Sequence, residues 1–314
     1  MYFSVSHDLL LSGEILNFDV YLYLGNRYVL YAKKNERYSA RLKEKLKDKD
    51  ISNVYVLSNQ RPDFENYVEK NFAKILNDKE ASIEARSQLF YETTINNVKR
   101  FFQKSKVQVN DEVVDQLDNI VRSSIDFLSQ DMAIKNIGSL LSHDYQTYSH
   151  CMQVYTLTLA LMNKYDFSEE DKVRSGIGAL LHDMGKLKIP NTILNKPAKL
   201  NNEEWEFIKH HPVLGVGCCT KVSLPQGVIN CILFHHEKCN GKGYPVGLSK
   251  QDIPMPVRII TICDIYDAIT SNRAYASKET SEQTLRIMHE EMGQGLDQSL
   301  LKGFTSLLQE MEFI

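Results

Sequence analysis

The pattern of hydrophobic and polar positions changes near residue 80. Before that point, runs of β-forming residues at 15–24 and 28–31 flank Gly25-Asn26, which predicts a hairpin. Residues 54–57 predict a further buried strand, and the polar stretch 39–48 predicts a helix. The first 77 residues are therefore expected to form a small α/β domain with a regulatory or interaction role.

From about residue 81 onward the pattern is helical. Apolar side chains such as Leu117, Ile120 and Val121 recur at helical spacing, and Gly and Pro are sparse until Pro190. The expected fold class is therefore mainly α, with an all-helical C-terminal domain and a smaller N-terminal α/β domain. The predicted divisions are residues 1–77 for the α/β domain, 78–140 for connecting helices and 141–314 for the helical domain.

Composition narrows the class of partner. Of 314 residues, 37 are Lys or Arg and 40 are Asp or Glu, which gives a net charge of −3. A protein that binds a nucleic acid polymer or an anionic membrane is normally basic, so neither partner is expected. No apolar run approaches the ~18 residues that indicate a membrane span, and residues 9–11 are too short for a signal peptide. We expect a cytoplasmic protein in which most of the cysteines are small buried side chains and no disulfide framework forms.

Candidate chemistry is concentrated in the second half of the chain. Seven of the nine histidines lie between His143 and His236. His182 and Asp183 follow an apolar helical pattern, and at 100° per residue they are expected to share one polar helix sector with Lys186. Because a buried polar sector needs partners, metal ions are an attractive explanation for it.

Further metal-ligating residue types stand in similar contexts. Asp264 lies inside an almost wholly apolar stretch, where a carboxylate is costly without a cation. The candidate ligands are five histidines and two aspartates: His150, His182, Asp183, His211, His235, His236 and Asp264. These are too many for one tetrahedral zinc and suit two metals that share a carboxylate. Two such metals serve phosphodiester hydrolysis, with Lys186 and Arg273 as candidate phosphate contacts.

A glycine-rich segment follows the last histidine pair. Gly241, Gly243 and Gly247, together with Pro245, predict a structured loop rather than a helix. Because this loop comes directly after His235-His236, it is expected to lie near the metals. Tyr244 in this loop is a candidate to stack on a base or to donate to a phosphate.

Taken in order, these blocks resemble the HD-GYP family, a subset of the HD phosphohydrolases. The resemblance covers about residues 140–290 and rests on five blocks: His182-Asp183-x-Gly185-Lys186, His211-Pro212, His235-His236-Glu237, Gly243-Tyr244-Pro245 and Asp264-x-x-Asp267-Ala268. It implies an all-helical domain with two or three metals, often iron or manganese. The implied activity is hydrolysis of cyclic di-GMP, a bacterial second messenger, to linear pGpG or on to GMP, and some members act on related cyclic dinucleotides.

The resemblance also implies roles for individual residues. Asp183 would be the bridging, catalytic carboxylate, Lys186 a catalytic and phosphate-binding cation, and Tyr244 and Arg273 substrate contacts. The family pattern places a ligand directly before proline, which selects His211 over its neighbour His210. The seven ligand candidates given above are the positions that match the family's metal ligands.

Departures from the family pattern qualify these expectations. Members with a third metal carry Glu where this chain has Gln146, so two divalent metals are expected, with Fe or Mn favoured and Zn or Ni as alternatives. We therefore expect the first cleavage, to linear pGpG, more strongly than complete hydrolysis to GMP. Asn240 and Ala276 replace an acidic and a basic residue that are frequent in the family, which is compatible with weaker phosphate binding.

Three alternatives stay open at this point. The chain is compatible with a catalytically weak cyclic dinucleotide receptor, or with an HD phosphohydrolase that acts on another nucleotide. A structural zinc site using Cys231 or Cys239 leaves Asp264 and His182-Asp183 unexplained. A homodimer through residues 80–130 and a protein partner for the N-terminal domain are further expectations.

Overall fold

The computed structural model describes residues 1–104, 108–141, 147–196, 198–271 and 279–314. Contacts within the chain divide it into two units, Met1–Thr93 and Thr94–Ile314. The finer predicted divisions at residues 77 and 140 stay predictions.

The first unit is built on a four-stranded antiparallel sheet with the strand order β1-β4-β2-β3. Its strands are β1 (Tyr2–Ser6), β2 (Val20–Leu24), β3 (Arg27–Ala32) and β4 (Asn53–Leu57). Gly25 and Asn26 join β2 to β3 with φ angles of +52° and +68°, the left-handed conformation that tight hairpin turns require. The predicted hairpin is therefore confirmed, whereas the sequence pattern did not predict β1.

Two helices complete the α/β character of this unit. Helix α1 (Ala40–Lys47) begins after Ser39, whose side chain accepts a hydrogen bond from the Leu42 amide and so caps the helix. Helix α2 (Arg61–Leu76) packs on the sheet through Phe64, whose ring meets Phe3 edge-on at 5.7 Å. Helix α3 (Ile83–Lys104) begins in this unit and ends in the next.

The described part of the second unit contains helices and no β-strand. Its helices are α4 (Asp111–Ser124), α5 (Asp131–Leu141), α6 (Thr147–Met162), α7 (Glu169–Leu181), α8 (Asn191–Leu194), α9 (Asn202–Lys209), α10 (His211–Cys218), α11 (Gln226–Phe234), α12 (Met255–Thr270), α13 (Ser281–Glu290) and α14 (Gln298–Glu310). The predicted fold class, an all-helical C-terminal domain with a smaller α/β domain before it, is confirmed.

Helices α6 and α12 form the centre of this unit. Both are apolar almost all the way round, which is the pattern of a helix enclosed by other helices. They carry His150, Asp264 and Asp267 into the interior, where each is at most 5% exposed. None of the described helices is both long and apolar enough to cross a lipid bilayer. All six cysteines are unpaired thiols.

The expectation that His182, Asp183 and Lys186 share one helix sector is wrong. Helix α7 ends at Leu181, and a 3-10 turn over Met184–Lys188 carries the lysine. Gly185, in this turn, packs directly on α10, where a Cβ would lie 1.9 Å from the His211 carbonyl oxygen. The three side chains nevertheless lie close together, because the 3-10 turn is tighter than a continuous α-helix.

Candidate metal centre

Three of the candidate imidazoles stand at helix ends, and this fixes their orientation. His182 follows α7, His211 follows α9 as the first residue of α10, and His235 follows α11. In each, Nδ1 donates to the carbonyl oxygen three residues earlier, at 2.7, 2.8 and 2.9 Å respectively. Carbonyls in a last helical turn lack an intrahelical partner, so they are free to accept this bond. Each ring therefore presents an unprotonated Nε2 to the interior.

Each of these Nε2 atoms faces another imidazole. His150 and His182 approach to 3.2 Å between their Nε2 atoms, and His211 and His235 to 3.1 Å. Burial lowers the pKa of His182 and His235, and it lowers the pKa of His211 to about 4, so these rings are neutral near pH 7. The unprotonated Nε2 atoms of His211 and His235 therefore oppose each other, which is unfavourable unless a cation lies between them.

All seven predicted ligands belong to two groups. Within each group, the atoms that could ligate a metal all lie within 4.8 Å of one another. The His150 group contains His150, His182 and Asp264, and the His211 group contains Asp183, His211, His235 and His236. Six of the seven side chains are buried, and that of His236 is 24% exposed. The neighbouring His210 belongs to neither group and is exposed, which agrees with the choice of His211.

The Asp183 carboxylate lies between the two groups. Its Oδ2 is 3.4 Å from His150 Nε2, and its Oδ1 is 3.3 Å from His211 Nε2. Oδ1 is fully buried and has no hydrogen-bond partner among the residues that the structure describes. A buried carboxylate oxygen without a donor is costly, and a metal ion would satisfy it. One carboxylate thus faces both groups, as expected for a bridge.

Asp264 spans the groups in the same way, which the sequence did not predict. Its Oδ1 is 3.1 Å from His150 Nε2, and its Oδ2 is 3.6 Å from His236 Nδ1. Asp267 lies one helical turn further along α12 and accepts from His150 Nδ1 at 2.6 Å. The role of Asp267 could have been found from its spacing, Asp264-x-x-Asp267 on an apolar helix, because residues three apart share a helix face.

Both central carboxylates are anionic despite their burial. Burial acts to raise the pKa of Asp183, but Lys186 and the surrounding imidazoles hold it well below its ordinary value. Burial likewise acts to lower the pKa of His150, but its hydrogen bonds to Asp264 and Asp267 raise it to about 9. Two buried anions and a set of inward lone pairs make a donor set that fits divalent cations.

The remaining candidate site residues are Lys186, Tyr244 and Arg273, and the structure describes the first two. Lys186 Nζ lies 2.5 Å from Asp183 Oδ2, so this cation sits on the shared carboxylate. The Tyr244 ring packs on that of His236, with ring centres 4.7 Å apart, so the glycine-rich loop reaches the centre as expected. Arg273, together with Gln146 and Ala276, lies outside the described residues.

Comparisons with known proteins agree with this geometry. The sequence model of the HD domain family matches residues 117–300. A cyclic di-GMP phosphodiesterase of Pseudomonas aeruginosa is 35% identical over 176 residues, which cover 55% of this chain and 42% of that protein. A cyclic di-GMP phosphodiesterase of Thermotoga maritima is 31% identical over 188 residues, covering 59% and 51%. A 3'3'-cGAMP-specific phosphodiesterase of Vibrio cholerae is 34% identical over 151 residues, covering 48% and 33%.

The matched segment thus represents about a third to a half of the length of these relatives. Among solved structures, Bd1817, an HDG"Y"P protein from Bdellovibrio bacteriovorus, superposes with a TM-score of 0.66 at 21% identity, covering 98% of this chain and all of that one. That likeness establishes the fold. The family model covers more than half of the chain, and the two His/Asp groups agree with the divalent-metal binding of such domains. The chain therefore belongs to the HD domain family, and its motifs are those of the HD-GYP type.

Proposed function

We propose that the second unit is a metal-dependent phosphodiesterase that hydrolyses cyclic di-GMP to linear pGpG in bacterial second-messenger signalling. The observation that carries the proposal is the position of Asp183, whose two oxygens face two separate groups of imidazoles. A carboxylate shared in this way is the arrangement that holds two ions close together.

The proposed ligand sets follow the two groups. One ion would be held by the His150 group and Asp183 Oδ2, and the other by His211, His235, His236 and Asp183 Oδ1. The mixture of imidazole and carboxylate suits Fe, Mn, Zn or Ni, and the resemblance to the HD-GYP family favours Fe or Mn among them. When bound, such a pair of ions polarises a phosphate, lowers the pKa of a bound water and stabilises the leaving oxygen.

The chain's own residues supply orientation and charge. Lys186, part-buried beside Asp183, is proposed to balance the charge of the scissile phosphate as a point charge. Tyr244 is proposed to contact the substrate from the loop that covers His236. Burial raises the pKa of the Tyr244 hydroxyl, which therefore stays protonated and is able to donate. Arg273 is proposed as a further phosphate contact on its sequence position alone.

The choice of substrate is supported by relatives that carry the name cyclic di-GMP phosphodiesterase. A second candidate is 3'3'-cGAMP, because a relative at 34% identity is named for that substrate. Both are cyclic dinucleotides with two phosphodiester bonds, so the same centre would serve either. A size measurement in solution would test the expected homodimer, and pull-down with the first unit as bait would test for its protein partner.

The test is elemental analysis of anaerobically purified protein, followed by chromatography after incubation with each cyclic dinucleotide and with pGpG. Two ions per chain and a linear pGpG product support the proposal, and slow further conversion of pGpG would match the expected two-metal site. Two ions with both dinucleotides bound but intact would contradict it and favour a receptor. Intact cyclic di-GMP with cleaved 3'3'-cGAMP would reassign the substrate and leave the chemistry standing.

A further inference from the structure

Glu237 is a buried carboxylate next to the metal-ligand candidates, with a role that the metal centre does not explain. It follows His236 directly, is 1% exposed and belongs to neither ligand group. Its oxygens accept hydrogen bonds from three successive backbone amides: Val246 at 2.7 Å, Gly247 at 3.0 and 3.1 Å, and Leu248 at 2.9 Å. A carboxylate that gathers three amides anchors the backbone that carries them.

The anchored backbone is the segment 238–249, named here the tyrosine loop. An isolated β-bridge between Asn240 and Ser249 closes its base. Gly247 has a φ of +83°, which turns neighbouring amides toward one point. Gly243 touches the backbone of Glu237 so closely that a Cβ there would lie 2.4 Å from the Glu237 Cα. The loop is thus folded around the one side chain of Glu237.

This loop delivers Tyr244 to the centre. The Tyr244 amide donates to the His236 carbonyl at 3.3 Å, and the two rings lie 4.7 Å apart at 31°. The three amides that donate to the Glu237 carboxylate directly follow Tyr244-Pro245 in the chain. Tyr244-Pro245 is therefore held by these bonds and by the contact of Tyr244 with His236. Two adjacent residues therefore have different roles, since His236 belongs to a metal-ligand group and Glu237 binds the loop backbone.

We propose that Glu237 is a positioning residue that holds the tyrosine loop closed and so fixes the Tyr244 ring against the substrate. The inference rests on the proposed function for the identity of the substrate, but not for the anchoring itself. The Glu237 carboxylate belongs to neither ligand group, so its proposed effect on the substrate passes through Tyr244. Replacing its charge by an amide, as in Glu237→Gln, turns an –NH2 group toward backbone donors and releases the loop.

The anchoring is tested by hydrogen exchange in Glu237→Gln, with exposed Glu206→Gln as the control of identical chemistry. Peptides spanning 243–250 should exchange at least about tenfold faster in Glu237→Gln, because charge-assisted bonds to amides are lost. Metal content and exchange of α6 and α12 should match the wild-type protein. Unchanged exchange of 243–250, or loss of metal together with loop protection, would overturn the proposal. If Glu237→Gln does not fold, Glu237→Asp, which keeps the charge one methylene further back, carries the same measurements.

The route through Tyr244 is tested by a double-mutant cycle on cyclic di-GMP hydrolysis. Glu237→Gln should raise KM about tenfold with a smaller change in kcat, and Tyr244→Ala should raise KM by a comparable factor. In the double variant the two effects should not multiply, because both remove the same contact. Fully multiplicative effects would contradict the positioning role. If the wild-type protein hydrolyses no cyclic dinucleotide, the proposed function fails, while the exchange experiment still decides the anchoring.

Discussion

His150 Nδ1 donates to Asp267 Oδ2 across 2.6 Å, between helices α6 and α12. The bond fixes the tautomer of the ring and turns Nε2 toward His182, Asp183 and Asp264. A carboxylate behind a ligating imidazole also makes that imidazole a stronger ligand. Asp267 thus orients a ligand without itself belonging to either metal group.

Asp267→Asn tests this orienting role. The variant keeps the shape but loses the charge, so affinity for the ion at the His150 group should fall about 10–100-fold. The ion of the His211 group should stay, and chelator competition with elemental analysis measures both. Asp252→Asn, at an exposed carboxylate bonded to Ser249 Oγ, is the matched control. Equal retention of both ions in the two variants would show that Asp267 does not tune the centre.

Asp183→Asn should affect both ions. The substitution removes the shared charge between the two groups, so both affinities and turnover should fall by more than about a hundredfold, since direct ligands matter more than their hydrogen-bond partners. Anaerobic metal analysis and product chromatography measure the two losses separately. A variant that kept both ions and turned over at the wild-type rate would exclude Asp183 as the bridge.

Much of the site follows from the sequence because the ligands stand in short, recognisable blocks. His182-Asp183 and His235-His236 are adjacent in the chain, and each follows an apolar helix whose last-turn carbonyls orient the rings. The sequence does not, however, predict which of these side chains face each other. His150 and Asp267 are 117 residues apart, and helical periodicity says nothing about which buried helices pack together.

Two local features were also beyond sequence reasoning. Strand β1 is a five-residue segment whose pairing with β4, Tyr2 to Leu57 at its start, is set by the sheet rather than by its own pattern. Glu237 looks like the end of a metal-binding motif, yet its carboxylate accepts from amides up to 11 residues later. Only the folded tyrosine loop brings those amides to it.

Removing the metals should destabilise the second unit. Asp183 and Asp264 would remain as buried anions, and the inward Nε2 atoms would lose their cation. An ion at 100 times its Kd contributes about 2.7 kcal/mol, which for a unit of this size corresponds to a Tm shift of roughly 5–10 °C. Calorimetry with and without chelator measures the shift, and adding Mn(II) back should restore it. Identical melting in both forms would contradict metal binding at the two groups.

Lys186→Gln separates charge balance from metal retention. Lys186 pairs with Asp183 but is not itself a ligand candidate, so metal content should persist while kcat falls about 100-fold. Lys188→Gln provides the control, because Lys188 is exposed on the same 3-10 turn. Steady-state kinetics on cyclic di-GMP compares the two. A wild-type kcat in Lys186→Gln would remove Lys186 from the reaction.

Gly185→Ala should disrupt the approach of the 3-10 turn to α10. A Cβ at this position would lie 1.9 Å from the His211 carbonyl oxygen and 2.6 Å from the Gly215 amide nitrogen, both rigid backbone atoms. Such overpacking costs about 1–3 kcal/mol, and it displaces His211 from its group, so stability and metal content should fall together. Gly217→Ala, in α10 with open space around the new Cβ, should be neutral or stabilising by up to about 1 kcal/mol. Urea unfolding and metal analysis compare the pair, and equal behaviour would refute the close approach.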